Sequence, residues 1–202
     1  MDLGVLGTGR MGRALAEAWA RAGHRVVLGS RTPEAVGALP PGLSGAGYAQ
    51  AAAQPVVVLA TPYAATAGVV AAHAAALAGR IIVDITNPFG AAPPGQSGIE
   101  VHRAVLGRPA HWAAAFKTNF ALTIGGGGSP PPQCLIAADG PQARAAAAEL
   151  ARAAGFAPLD CGGLEHAATL DGMVPLLLAL DRSLVGGARS AWRLEPGQTV
   201  VP

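Results

Sequence analysis

Short runs of apolar residues alternate along the first half of the chain with longer stretches that are rich in alanine. Within each run the apolar residues are consecutive, a pattern typical of parallel strands that are covered on both faces. Four such strands are predicted, at residues 3–6, 26–28, 56–59 and 81–85. The stretches between them predict helices at residues 11–22 and 63–77. Strands and helices that alternate in this way indicate an α/β fold built on a doubly wound parallel sheet.

The second half of the chain is less regular. Residues 87–98 are rich in proline and glycine and predict a loop, and residues 125–132, GGGGSPPP, predict a flexible connector at a domain boundary. Further strands are predicted at residues 111–116, 134–139 and 157–161, and further helices at residues 142–154 and about 164–188. The chain is therefore predicted to divide into a main domain, residues 1–130, and a small C-terminal α/β extension, residues 131–202.

Composition and charge argue against several classes of protein. Although 51% of the residues are hydrophobic and only 13% are charged, no stretch supplies the roughly 18 consecutive apolar residues of a membrane-spanning helix. The N-terminus enters the first strand without the pattern of a signal peptide, so a cytoplasmic protein is expected. The net charge is +2 and the arginines are dispersed, which argues against nucleic-acid binding. Cys134 and Cys161 form no CxxC pattern, and no metal site is predicted.

A glycine-rich segment joins the first predicted strand to the first predicted helix. It consists of Gly7, Thr8, Gly9, Arg10, Met11 and Gly12, and it matches the G-x-G-x-x-G motif of dinucleotide-binding proteins. Glycines at these positions permit a tight turn, close approach of a pyrophosphate and close packing of the helix on the strand. The N–H groups and the positive dipole end of the helix would face the phosphates. The position of the motif therefore predicts a Rossmann-type sheet that binds a dinucleotide at these six residues.

The second predicted strand leads into Ser30, Arg31 and Thr32. In an NAD site an acidic residue at this place accepts hydrogen bonds from the ribose 2′-hydroxyl. A carboxylate would repel a 2′-phosphate, whereas a hydroxyl and a guanidinium bind it, the guanidinium through a charge-assisted contact. We therefore predict that these three residues bind NADP(H) rather than NAD(H). An arginine that is merely solvated is the alternative.

Four further residues are expected at the edge of the sheet where doubly wound proteins bind their ligands. Thr61, Pro62, Asn87 and Pro88 follow predicted strands at their carboxyl ends. We predict that they contact the cofactor. A purely structural role in turns is the alternative for the two prolines.

Two residues are candidate contacts for a second substrate. Lys117, the only lysine of the chain, follows a predicted strand at the same edge and would attract an acidic or phosphate-bearing molecule. His166 lies at the start of the last predicted helix. Solvent exposure of Lys117 and a structural role of His166 are the alternatives.

Together these residues resemble the deazaflavin-dependent NADP oxidoreductases. The shared segments are residues 7–12, 29–32, 60–62, 84–88, 116–118 and 137–171. The resemblance implies a Rossmann domain and a small C-terminal part that hold two planar redox rings face to face. It implies hydride transfer between NADPH and a deazaflavin, or in relatives a flavin that reduces ferric or cupric ions, without a catalytic acid or base from the protein. Family members usually read Phe-Asn-Thr where this chain has Phe116, Lys117 and Thr118. This departure and the unusual residues 125–132 both lie where the second substrate is expected.

Two other functions are compatible with the same motifs. One is NADPH-dependent reduction of a small carbonyl or imine. Relatives of that kind carry a long all-helical C-terminal domain, whereas only about seventy residues follow the connector here. The other is a non-catalytic NADP(H) sensor, which would need a partner surface rather than a second ring pocket.

The last predicted helix is apolar around much of its circumference between Met173 and Leu180, and it contains Pro175. An all-round apolar helix must be buried, and an internal proline removes a backbone hydrogen bond and kinks the helix. We therefore predict a two-fold homodimer to whose interface this helix contributes, with the ring pocket near residues 164–170. A monomer that buries the helix within itself is the alternative.

Overall fold

The computed structural model describes residues 1–126 and 129–195, so residues 127 and 128 of the predicted connector and residues 196–202 lie outside the described residues. Within the described part, eight strands form one sheet in the order β3-β2-β1-β4-β5-β6-β7-β8. The strands are β1 (Asp2–Leu6), β2 (Arg25–Ser30), β3 (Leu43–Gly47), β4 (Val56–Leu59), β5 (Ile81–Asp84), β6 (His111–Ala114), β7 (Gln133–Ala138) and β8 (Ala157–Asp160). Strands β1 to β6 are parallel and follow the Rossmann order, which confirms the predicted fold class.

The described helices are α1 (Arg10–Arg21), α2 (Tyr48–Ala52), α3 (Tyr63–Ala72), α4 (Ala74–Leu77), α5 (Gly98–Leu106), α6 (Pro141–Ala153) and α7 (Ala167–Leu184). The helix predicted at residues 63–77 is divided at His73 into α3 and α4. Three elements, β3, α2 and α5, are absent from the sequence-based prediction. Among the described helices, none combines the length and the apolar character that crossing a membrane requires.

The sheet is covered on both faces, as the continuous apolar runs predict. On one face, α1 and α6 pack against strand residues such as Leu3, Val58 and Ile136. On the other face, α2 to α5 and the start of α7 pack against strand residues such as Leu59 and Trp112. Neighbouring residues of one strand therefore contribute to different cores, and the strands are buried on both sides.

The extension predicted from residue 131 continues the main sheet. β7 pairs with β6, and core residues from both sides of the predicted boundary, such as Leu15 and Leu150, belong to one cluster. The indole Nε1 of Trp19 in α1 donates to the carbonyl oxygen of Leu150 in α6 at 2.9 Å. The two predicted domains thus share a sheet and a core, and the division between them stays a prediction.

β7 runs antiparallel to the strand beside it. Ala113 of β6 pairs with Ala138 of β7, and β8 is parallel to β7. The carboxyl ends of β7 and β8 therefore lie at the opposite edge of the sheet from the carboxyl ends of β1 to β6. α7 runs back from that side, since its residue Asp171 accepts a hydrogen bond from the N–H of Gly98 at the start of α5, at 2.8 Å.

Candidate active site

The three glycines of the predicted motif differ in what surrounds them. Gly7 has a φ of +126°, and a Cβ at this position would lie 2.5 Å from the carbonyl oxygen of Ala60. A Cβ at Gly12 would lie 2.6 Å from the carbonyl oxygen of Gly7. Gly9 has a φ of −64°, and no heavy atom lies within 4 Å of where its Cβ would be. The fold therefore requires glycine at positions 7 and 12, whereas the space at Gly9 is open to a ligand.

Helix α1 begins directly at this open space. Its N-cap is Gly9, no side chain caps the first turn, and that turn carries no acidic residue. The first N–H groups of a helix have no partner within the helix, and its N-terminus carries a partial positive charge. This cradle fits the pyrophosphate of a dinucleotide.

The end of β2 supplies the second part of the cofactor site. Ser30 is buried, and its hydroxyl accepts a hydrogen bond from the Thr32 N–H at 3.1 Å. Arg31 is exposed, and no carboxylate of a described residue lies within ion-pair distance of its guanidinium. The strand thus ends in a hydroxyl and an unpaired cation, without an acidic side chain, which is the arrangement that fits a 2′-phosphate.

Two adjoining cavities open along the carboxyl edge of the parallel strands. The first cavity, of about 490 Å³, is lined by residues 9–11, 60–64 and 85–89 and by Ala91. The second cavity, of about 230 Å³, is lined by residues that include Phe116, Asn119, Phe120 and Ala188. The two cavities meet along Arg10, Met11, Ile85 and Asn87, which line both. We call the two cavities together the crevice.

The predicted cofactor residues form two groups at one edge of the sheet. Seven of them line the first cavity: Gly9, Arg10, Met11, Thr61, Pro62, Asn87 and Pro88. Ser30, Arg31 and Thr32 follow β2, which pairs directly with β1 and brings them beside the turn of Gly7, Thr8 and Gly12. Their contacts with NADP(H) stay a prediction that this common location supports.

Next to the crevice lies a cluster of four buried residues, Asp84, His102, Lys117 and Asp171, which come from four segments of the chain. The Asp84 carboxylate at the end of β5 accepts a hydrogen bond from His102 Nδ1 at 2.6 Å and lies 3.5 Å from Lys117 Nζ. Lys117 Nζ also lies 3.1 Å from the Asp171 carboxylate. Burial raises the pKa of Asp84, but the neighbouring charge of Lys117 and the hydrogen bond from His102 outweigh it, and the pKa is lowered to about 2.

Lys117 has neither of its predicted environments. Only 3% of the residue is exposed, and its ammonium donates to the Thr86 carbonyl oxygen in addition to its contacts with Asp84 and Asp171. The prediction of a solvated lysine is therefore wrong. A direct contact with a second substrate does not fit either, because the protein's own acceptors enclose the ammonium. No local pattern reveals this burial, since all three partners are distant in sequence.

His166 is not among the lining residues of either cavity, and its contact with a second substrate stays a prediction. Because β7 is antiparallel to β6, the chain that follows β8 emerges opposite the crevice, and the His166 side chain is about half-exposed there. Leu164 and Leu170 pack in the core with Trp112, and the ring pocket near residues 164–170 stays a prediction. The segment after α7 reaches the crevice, where Ala188 lines the second cavity.

One carboxylate fixes the turn after α7. Asp181 accepts hydrogen bonds from the N–H groups of Ala188, Arg189 and Ser190 and from the Ser190 hydroxyl, at 2.8 to 2.9 Å. These bonds, those of Ser190 above all, lower the pKa of Asp181 to about 2. The ionised carboxylate therefore holds Ala188 at the wall of the second cavity.

Phe89 is a crevice residue that the sequence motifs do not identify. Its side chain is at the rim of the first cavity, 61% of the residue is exposed, and its φ is +49°. The turn around it is closed by a hydrogen bond from the Ala91 N–H to the Pro88 carbonyl oxygen at 2.9 Å. A left-handed φ is unfavourable for an aromatic residue, so this turn places an aromatic side chain beside the ligand space at a conformational cost.

Comparison with known proteins identifies the family of this chain. A family model described as "NADP oxidoreductase coenzyme F420-dependent" matches residues 2–88. The F420-dependent NADP reductase of Methanothermobacter marburgensis is 32% identical over 207 residues, which cover 90% of this chain and 92% of that protein. The chain belongs to the F420-dependent NADP oxidoreductase family. The predicted enzyme class, an NADP-dependent oxidoreductase, and the predicted cofactor, NADP(H), are thereby confirmed.

Other proteins similar to this chain match it to different extents. Metalloreductase STEAP3 of Rattus norvegicus is 32% identical over 191 residues, covering 88% of this chain but only 39% of that longer protein. The crystal structure of a candidate F420-dependent NADP reductase from Arthrobacter sp. FB24 has a TM-score of 0.83 at 27% identity, and the match covers 97% of this chain and 100% of that chain. An imine reductase of Streptomyces aurantiacus shares the fold, with a TM-score of 0.60 at 24% identity over 89% of this chain and 61% of that chain.

Proposed function

We propose that this enzyme transfers hydride between NADP(H) and a deazaflavin of the F420 type, with the pyrophosphate in the glycine-rich cradle and the acceptor ring in the second cavity. The observation that carries the proposal is the crevice itself, in which two cavities meet along Met11 and Ile85. Similarity to the F420-dependent NADP reductase of Methanothermobacter marburgensis supports the choice of acceptor. When bound, the nicotinamide supplies or accepts the hydride directly, so the reaction needs no acid or base from the protein.

The protein's own contribution is to position the two ring sites and to exclude water from them. Met11 and Ile85 give the junction of the cavities an apolar surface. Phe116 in the second cavity is buried and packs edge-on against Trp19 and Phe156, with ring centroids 5.9 and 6.0 Å apart. The segment of the second cavity that carries Phe116 is therefore anchored in the core.

A panel of acceptors tests this function. Anaerobic oxidation of NADPH should be fastest with an F420-type deazaflavin, slower with FMN or FAD, and absent with ferric chelate alone. The similarity to Metalloreductase STEAP3 favours a second candidate, in which a flavin takes the hydride and passes electrons to ferric ions. Rapid ferric reduction that depends on added flavin would select this second candidate. If none of these acceptors supports oxidation of NADPH, both candidate functions are contradicted.

We further propose that the enzyme is a homodimer that associates through α7. The helix buries one face, which includes Leu177, and exposes a stripe on another: Leu176 is 52% exposed, Leu180 37% and Leu184 76%. The spacing of four residues places these three leucines on one side of the helix. The described part of the chain thus leaves an apolar stripe of α7 uncovered, which does not fit a monomer that buries the helix within itself. Pro175 is exposed, and the kink predicted there stays a prediction.

Substitutions on the two sides of α7 distinguish association from folding. Leu180→Glu should convert the dimer into a folded monomer, because it places a charge in the exposed stripe. Leu177→Glu should instead lower the melting temperature strongly, because Leu177 is only 3% exposed and an unpaired buried carboxylate is costly. Light scattering at micromolar concentration and thermal unfolding measure the two effects. A wild-type protein that scatters as a monomer would contradict the proposed dimer.

A further inference from the structure

Two hydrogen bonds cross between the loops that form the crevice. The ammonium of Lys117 donates to the Thr86 carbonyl oxygen, and the Asn87 side-chain amide donates to the Lys117 carbonyl oxygen at 3.0 Å. One loop follows β5 and carries Ile85 and Asn87, which line both cavities. The other loop follows β6 and carries Phe116, which lines the second cavity. The relative position of the two cavities therefore depends on this pair of bonds.

The same ammonium also joins the loops to α5 and α7. It lies 3.1 Å from the Asp171 carboxylate of α7, whose other oxygen accepts the Gly98 N–H of α5 at 2.8 Å. It lies 3.5 Å from Asp84, which is fully buried. A buried cation between two buried carboxylates cannot leave without exposing unpaired charges, so the contact is rigid.

We propose that Lys117 is a positioning residue for hydride transfer, which fixes the spacing of the two crevice loops and ties them to α7. This inference rests on the proposed function. Reacting atoms must approach to roughly 3–3.5 Å, and a misplacement of about 1 Å costs on the order of 100-fold in rate. Asn87 and Pro88 of one loop are predicted cofactor contacts, but the phosphate contacts expected at Gly9 and Arg31 do not depend on the two loops. Turnover should therefore fall more than the affinity for NADPH.

The test uses Lys117→Met and the double variant Lys117→Met/Asp171→Asn. The double variant removes one carboxylate together with the cation, while the asparagine oxygen still accepts the Gly98 N–H. In both variants kcat with the deazaflavin should fall roughly 10- to 100-fold, while the Kd for NADPH rises by a clearly smaller factor. Hydrogen exchange of the backbone amides at residues 85–89 should accelerate in the protein without ligands.

Leu106→Ala is the matched control for lost stability. Leu106 is only 3% exposed and lies at the end of α5 away from the crevice, so its truncation lowers the melting temperature without disturbing the two loops. A fall in kcat equal to that of Leu106→Ala, or unchanged kcat and exchange in a folded Lys117 variant, would overturn the proposal. If the single variant does not fold, the double variant decides. If the wild-type enzyme turns over no acceptor, the proposed function fails, and exchange at residues 85–89 still tests whether Lys117 fixes the loop.

Discussion

Gly9→Val is expected to abolish NADPH binding in a protein that stays folded. The backbone at Gly9 already has a φ of −64°, and the new side chain enters space that no protein atom occupies within 4 Å of the Cβ position. That space adjoins the start of α1, where the pyrophosphate is expected to accept hydrogen bonds from backbone N–H groups. Loss of two charge-assisted bonds of about 1.5–3 kcal/mol each weakens binding by at least about 100-fold.

Fluorescence titration with NADPH measures the affinity of the variant, and circular dichroism measures whether it is folded. Gly68→Val is the matched control, because Gly68 lies exposed on α3 and a Cβ there also meets no atom within 4 Å. Gly12→Ala should behave in the opposite way and impair folding, since its Cβ would lie 2.6 Å from the Gly7 carbonyl oxygen. Undiminished affinity in a folded Gly9→Val variant would mean that the phosphates bind elsewhere.

Arg31→Ala should weaken the binding of NADPH by about 1.5–3 kcal/mol, or roughly 10- to 150-fold, and leave the binding of NADH nearly unchanged. The guanidinium is exposed and has no ion pair with a described carboxylate, so its removal disturbs no internal contact. Ser30→Asp should go further and reverse the preference, because a carboxylate repels the 2′-phosphate. Aspartate can still accept the Thr32 N–H that the Ser30 hydroxyl accepts at 3.1 Å, so the turn is retained.

Separate titrations with NADPH and NADH measure this discrimination. Arg21→Ala, which removes another exposed arginine at the far end of α1, is the control for the general loss of positive charge. Equal losses for NADPH and NADH in the Arg31 variant would show that Arg31 supports the site without binding the 2′-phosphate.

Local patterns in the sequence were sufficient to predict most of the nucleotide half of the fold, with β3 and α2 as the exceptions. Continuous apolar runs give buried parallel strands, and the turn requires glycine at positions 7 and 12 while it leaves the space beside Gly9 open. One element that the prediction missed, α5, does have a signal in the sequence. Ser97 and Glu100 form a capping box, which marks the start of this helix. β3 carries only the weak pattern LSGAG, in which two glycines obscure the strand.

The remaining errors concern contacts between distant segments. The direction of β7 is set by its pairing with β6, and a short apolar run is the same in a parallel and an antiparallel strand. His166 thus follows a strand whose direction the local sequence pattern does not indicate. The burial of Lys117 likewise depends on Asp84 and Asp171, which only the folded chain brings together. Side chains that face a second substrate are therefore harder to predict than those of the cofactor cradle.

The reversed direction of β7 also lets a distant segment of the chain contribute to the crevice. The nucleotide cradle is built by the strands and turns of the first half, whereas Ala188 reaches the second cavity from the far side, along α7 and the turn held by Asp181. Changes in the tail can thus reshape the second cavity without altering the residues of the glycine-rich turn. In evolution, a chain of this kind can exchange one electron acceptor for another while it keeps the same source of reducing equivalents.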